Sequence, residues 1–117
     1  MNKRAEGEQH EAQAAQYLQS QGLTLLQSNY HSRFGEIDLI MRDAGALVFV
    51  EVRYRKSDRF GGPRSSITEP KQRKIALTAL HYLQTKKLTD TNCRFDAVSV
   101  TPHGLDWIKD AFYSPLR

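Results

Sequence analysis

Residues 35–53 read GEIDLIMRDAGALVFVEVR, and the fold turns on this stretch. From Glu36 to Arg42 the side chains alternate, Ile37, Leu39 and Met41 toward one side and Glu36, Asp38, Ile40 and Arg42 toward the other, which is the period of a β-strand. Leu47 to Arg53 is β-branched and apolar, predicting a strand covered on both faces. Asp43-Ala44-Gly45-Ala46 supplies the turn between them. Whether the loop is Ala44-Gly45 or all four residues, the numbers of paired positions add to 89, so Asp38 faces Glu51 and Glu36 faces Arg53. An odd-length loop would move one acid to the other face.

Outward from this hairpin, residues 2–21 are rich in Ala, Glu and Gln and stop at Gly22, which predicts a helix. Thr24 to Tyr30 reads as a short strand. After the hairpin, Tyr54 to Glu69 loses all periodicity and carries Gly61, Gly62, Pro63, Ser65 and Ser66, a long loop of the kind that is usually functional. Thr68 or Glu69 then caps a second helix, with Pro70 in its first turn and Ile75, Ala76, Ala79, Leu80 and Leu83 as its apolar stripe up to about Lys87. Arg94 to Val100 and Leu105 to Phe112 read as strands around a Pro102-His103-Gly104 turn. The order is αβββαβ with a final β, an α/β arrangement without internal repeat or linker, so residues 1–117 form one domain with one core.

Composition narrows the classes. A 39% hydrophobic, 26% charged chain with 7 Gly and 4 Pro is globular rather than disordered. One cysteine, Cys93, excludes an internal disulfide and a multi-cysteine zinc site, which fits the reducing cytoplasm. No apolar run reaches the roughly 18 residues of a membrane span, so neither a membrane partner nor a signal peptide is expected. The four histidines, His10, His31, His81 and His103, lack metal-ligand spacing and read as surface or satisfied residues.

Acids stand where packing would leave apolar residues. Glu51 interrupts Leu47, Val48, Phe49, Val50 and Val52, where an unpaired charge is costly. Helical geometry places Glu8 at the centre of a small face of Ala5, Ala12 and Ala15 with Leu18 at its edge, and so aims a carboxylate inward. Directly opposed Cβ atoms lie about 4.5–5.5 Å apart, so Asp38 and Glu51 repel unless something positive sits between them. Mg²⁺ or Mn²⁺ meets that demand, with waters and phosphate completing the shell. The plain alternative is a Glu36–Arg53 cross-strand ion pair and a Glu51 neutralised by a nearby Lys or Arg without metal.

The net charge of +4 says little, but its distribution says more. Arg53, Arg55, Lys56, Arg59, Arg64, Lys71, Arg73 and Lys74 put 8 of the 17 basic residues within 22 positions, starting at the strand end that carries Glu51. Phosphates drawn to this segment would arrive beside the acids. Tyr54 and Phe60 add rings for stacking on unpaired bases. A merely solvated basic loop is the competing reading.

Glu on helix one, Gly35-Glu36-Ile37-Asp38-Leu39-Ile40, then Val48-Phe49-Val50-Glu51-Val52-Arg53, followed by a basic loop and helix, resembles the PD-(D/E)XK nuclease superfamily. Within it, the chain is similar from about Lys3 to Phe112 to the small bacterial YraN family of predicted endonucleases, whose nearest relatives in fold are archaeal Holliday junction resolvases. The resemblance implies a mixed β-sheet flanked by helices on an αβββαβ restriction-endonuclease-like core. It implies that Asp38 and Glu51 bind Mg²⁺ or Mn²⁺, that Glu8 assists catalysis, and that Gln72 or Lys74 touches substrate. The substrate it implies is DNA, branched or otherwise distorted, and resolvases suggest a homodimer by analogy. Ile37 replaces the Pro of the motif. Arg53 stands where the superfamily has Lys; it can stabilise phosphate charge but stays protonated and cannot act as a base. A nucleic-acid-binding module with little hydrolysis is therefore the second reading.

Overall fold

The computed structural model describes residues 3–56 and 67–116. Arg59, Arg64 and Phe60 lie outside the described residues. The chain runs α1 (Lys3–Ser20), β1 (Thr24–Ser32), β2 (Gly35–Asp43), β3 (Ala46–Tyr54), α2 (Glu69–Thr85), β4 (Cys93–Thr101) and β5 (Gly104–Phe112). The five strands form one sheet in the order β1-β2-β3-β4-β5. Every neighbouring pair is antiparallel except β3 and β4, which are parallel and joined through α2, so the α/β class and mixed sheet hold.

The two helices cover opposite faces. Ala14, Ala15 and Leu18 of α1 pack with Leu39, Met41, Val48, Val50, Val98 and Val100. On the other side Ile75, Ala76, Ala79 and Tyr82 of α2 pack with Ile40, Leu47, Phe49, Phe95 and Ala97. β3 thus alternates between two buried surfaces, which is why its run reads as continuously apolar. Leu80, expected in the α2 stripe, is an exposed edge residue instead. Among the described residues no helix is long and apolar enough to cross a membrane.

Chain ends of α1 and the hairpin turn follow local chemistry. Gly22 takes φ +100°, and Leu23 N–H returns to Leu18 C=O at 3.1 Å while Gly22 N–H returns to Gln19 C=O at 3.0 Å. This is a Schellman close with Leu18 and Leu23 in one apolar cluster. Asp43 pairs with Ala46, so the loop is the two residues Ala44-Gly45 and the numbers 43 and 46 give the expected register.

That register runs as far as Leu39↔Val50 and then stops. Both ladders of β2 step over Asp38, and Ile37 joins the α2-side cluster rather than following Leu39 and Met41. The cause is a side chain: Asp38 Oδ2 accepts a 2.8 Å hydrogen bond from Val52 N–H. The expected pairing of Glu36 with Arg53 is not among the ladder pairs. Glu36 pairs across to His31 on β1 instead, with its carboxylate 3.1 Å from His31 Nδ1.

A candidate metal centre at a fork in the sheet

Where β2 and β3 part, α1 and α2 both reach in from their opposite faces. Asp38 and Glu51 meet there through their side chains, although the ladder ends one step before the 38/51 pair that the hairpin arithmetic gives, and Glu51 is only 10% exposed. The acid that α1 contributes is Glu11, not Glu8. Glu8 stands 61% exposed and pairs with Arg4 at 3.5 Å along the helix. Glu11 is half-buried, with Asn29 and Asp38 as its polar neighbours. The reason is that Leu18, the large apolar residue of the α1 face, fixes the rotation, and positions three, four and seven before it are Ala15, Ala14 and Glu11.

Three carboxyl groups therefore lie in a row, Glu11 to Asp38 to Glu51, and all three are pushed above the ordinary carboxylate range. Burial is the largest cause for Glu11, relieved in part by the neighbouring Asn29 and Asp38 side chains. Burial also leads for Asp38, against the stabilising Val52 amide. Glu51 is driven to about 8 by burial and by the Asp38 carboxylate beside it, with Lys71 and Arg53 pulling the other way. Such a row asks for protons or for a cation.

Whether a divalent ion suits these residues is answered by their donors. Among the described residues no group of three or more His, Cys, Asp or Glu is arranged to hold a metal by itself. Asp38 and Glu51 are two hard oxygen donors from adjacent strands, and Glu11 Oε1 is buried without a hydrogen-bond partner among the described residues. This suits an open Mg²⁺ or Mn²⁺ site, in which one or two carboxylates are completed by water and substrate phosphate.

Lys71 of α2 lies 3.3 Å from Glu51 Oε2, so the cation beside Glu51 comes from helix two. Lys71 was expected only as a phosphate contact; no spacing in the sequence links positions 51 and 71. Arg53 is half-buried, one of the charges that favour ionised Glu51, and lies opposite Ser99 of β4. Gln72 donates its side-chain amide to Ile67 C=O at 3.0 Å, closing the turn before α2. Lys74 and Lys56 are exposed and Arg55 is half-buried at the end of β3. Tyr54, expected as a base-stacking ring, is stacked on His10 at 4.2 Å between centroids.

Two open clefts meet at Glu36. One of about 470 Å³ lies beside α1 and includes Glu8, Glu11, Asn29 and His31. The other, of about 390 Å³, lies at the start of α2 and includes Gly35, Thr68, Lys71 and Lys74. Asp38 and Glu51 line neither; they adjoin the first through Glu11 and the second through Lys71.

A second buried acid shows what a structural carboxylate looks like in this fold. Asp96 is fully buried and accepts from Arg94 Nε at 3.0 Å, Trp107 Nε1 at 2.9 Å and the Asp110 amide at 3.1 Å. Its oxygens are satisfied by donors, whereas Asp38 and Glu51 face each other.

Comparison with known proteins gives a family. The profile described as "Uncharacterised protein family UPF0102" matches residues 10–100, a span that holds Glu11, Asp38, Glu51, Arg53 and Lys71. The chain is 55% identical over 104 residues to a UPF0102 protein of Psychromonas ingrahamii, covering 87% of this chain and 84% of the relative. It is 52% identical over 107 residues to one of Saccharophagus degradans, covering 91% of each. Among solved structures, the crystal structure of SSO0001 superposes with a TM-score of 0.42 at 19% identity over 89% of this chain, which spans half of that one, a likeness too loose to decide anything.

Proposed function

The chain belongs to the UPF0102 family, and from its paired strand acids we propose that it is a divalent-metal-dependent endonuclease acting on DNA, with branched or distorted DNA as the substrate class. The observation that carries this reading is the Asp38–Glu51 pair, two buried carboxylates placed side by side, with Val52 N–H on Asp38 Oδ2 and Lys71 Nζ near Glu51 Oε2. Asp38 and Glu51 would hold Mg²⁺ or Mn²⁺, which when bound polarises a phosphodiester and favours hydroxide at neutral pH. Glu11 orients Asp38 from behind. The Arg53 guanidinium offsets charge on the phosphate under attack. Arg55, Lys56 and Lys74, with Arg59 and Arg64 outside the described residues, would hold the flanking backbone.

The second reading, a DNA-binding module with little hydrolysis, draws support from Arg53 and from the Lys71 ammonium already seated on Glu51. Purified protein with Mn²⁺ and labelled linear, flap and four-way-junction DNA separates the two. Cleavage that disappears in Glu51→Gln supports the nuclease. Salt-sensitive binding to DNA without cleavage on any substrate supports the module, and absence of DNA binding removes both.

A further inference from the structure

Lys71 sits where helix physics disfavours it. With Thr68 as N-cap, its side chain accepting from Lys71 N–H at 3.4 Å, Lys71 occupies the third position of α2. That position favours Glu or Gln, which can complete a capping box and which suits the positive end of the helix dipole. A lysine there works against both effects. What holds it is Glu51, 3.3 Å away and 10% exposed, while the Lys71 side chain itself is 39% exposed and borders the cleft at the start of α2. The buried end of this ion pair is thus the expected metal ligand, and the accessible end is the partner that faces solvent. A divalent ion at Glu51 and the Lys71 ammonium claim the same carboxylate, and two cations at that spacing repel.

Resting on the nuclease reading, we propose that Lys71 is an exchangeable counter-ion. It occupies Glu51 before the metal arrives, is displaced when the metal binds, and then meets a substrate phosphate in the cleft it shares with Lys74. Lys71 is a positioning residue in this scheme. Its role couples the two ligands: phosphate that engages Lys71 frees Glu51, so metal and DNA each tighten the other by the same factor.

The test is Mn²⁺ titration by calorimetry of wild type, Lys71→Met, Lys71→Gln and, as a charge control, Lys86→Met, which lies roughly 20 Å away along α2. Compared in buffer alkaline enough to ionise Glu51 in each protein, since Lys71 lowers that acid and its loss lets a proton compete with the metal, both Lys71 variants should bind Mn²⁺ about 2- to 5-fold more tightly than wild type, the span expected for losing a partly exposed ion pair, and Lys86→Met should not. With an uncleavable phosphorothioate junction present, wild type should gain more Mn²⁺ affinity than Lys71→Met does. Unchanged or weakened Mn²⁺ binding in both Lys71 variants, or equal tightening in Lys86→Met, overturns the exchange. Equal gains from DNA in wild type and Lys71→Met overturn the coupling. Failure of the nuclease reading appears separately, as no cleavage and no DNA binding in any arm, while the metal titration still decides whether Lys71 competes for Glu51.

Discussion

Asp38 Oδ2 accepts the Val52 amide at 2.8 Å, so a side chain takes the place that a neighbouring strand's carbonyl would otherwise fill. Removing that acceptor leaves a part-buried donor without a partner. Asp38→Ala should therefore cost about 1–3 kcal/mol in urea denaturation. Asp38→Asn, which keeps an acceptor oxygen, should cost less than half as much, while both variants lose Mn²⁺ binding. Equal destabilisation of the two would show that the Val52 bond contributes little.

Glu51 sets the pH dependence of stability. Its folded value of about 8 lies above the ordinary 4.5, so between those limits the folded state holds a proton that the unfolded chain has released. Stability is then greatest below about pH 4.5 for this group and falls as pH rises toward 8. Thermal melts in EDTA should show this decline, and Mg²⁺ should flatten it. Glu51→Gln, which carries no charge to bury, should lack the slope and be no less stable than wild type at pH 8.

The helix-one acids separate by rotation. Glu11 contacts Asp38, whereas Glu8 is exposed on Arg4. Glu11→Gln should weaken Mn²⁺ binding and cleavage by about 10-fold or more, as loss of an outer-shell partner does, and Glu8→Gln should change each less than about 2-fold. A larger effect at Glu8 would restore it to the site.

Asp96 serves as the opposite case. Its partners Arg94, Trp107 and the Asp110 amide all donate to it inside the fold. Asp96→Ala strands the Trp107 and Asp110 donors, while Arg94 keeps Asp43 at 2.9 Å, for a cost of about 1–3 kcal/mol in denaturation. Metal affinity of the folded fraction should stay at the wild-type value. A selective loss of Mn²⁺ binding would place Asp96 in the metal site.

The sequence carried the hairpin through the alternation along residues 36–42 and the Asp43–Ala46 turn, while the even length of the loop, on which the register depends, is fixed by the Asp43–Ala46 pairing in the structure. It did not carry the break at Asp38, since a side chain capping a backbone amide leaves no periodic trace. The α1 face was misplaced because alanine marks a helix face weakly; counting back from Leu18 finds Glu11, and counting from the alanines finds Glu8. Asp96 sits between Phe95 and Ala97 much as Glu51 sits between valines, so an acid within an apolar strand signals burial without telling a ligand from a strut. Lys71 was visible only as charge, because its distance from Glu51 is created by the crossover between β3 and β4.

The two clefts that meet at Glu36 give the carboxyl row separate entrances. The one beside α1 is lined by Glu8, Glu11 and Glu36 together with Arg4 and His31, and the one at the start of α2 carries Lys71 and Lys74 together with Glu36; under the proposed function the acid-rich first cleft would favour cations and the second phosphates. Under that function, ion and nucleic acid would not queue at a common door. Under the proposed function, approach to the fork would then be sorted by sign before any ligand is recognised.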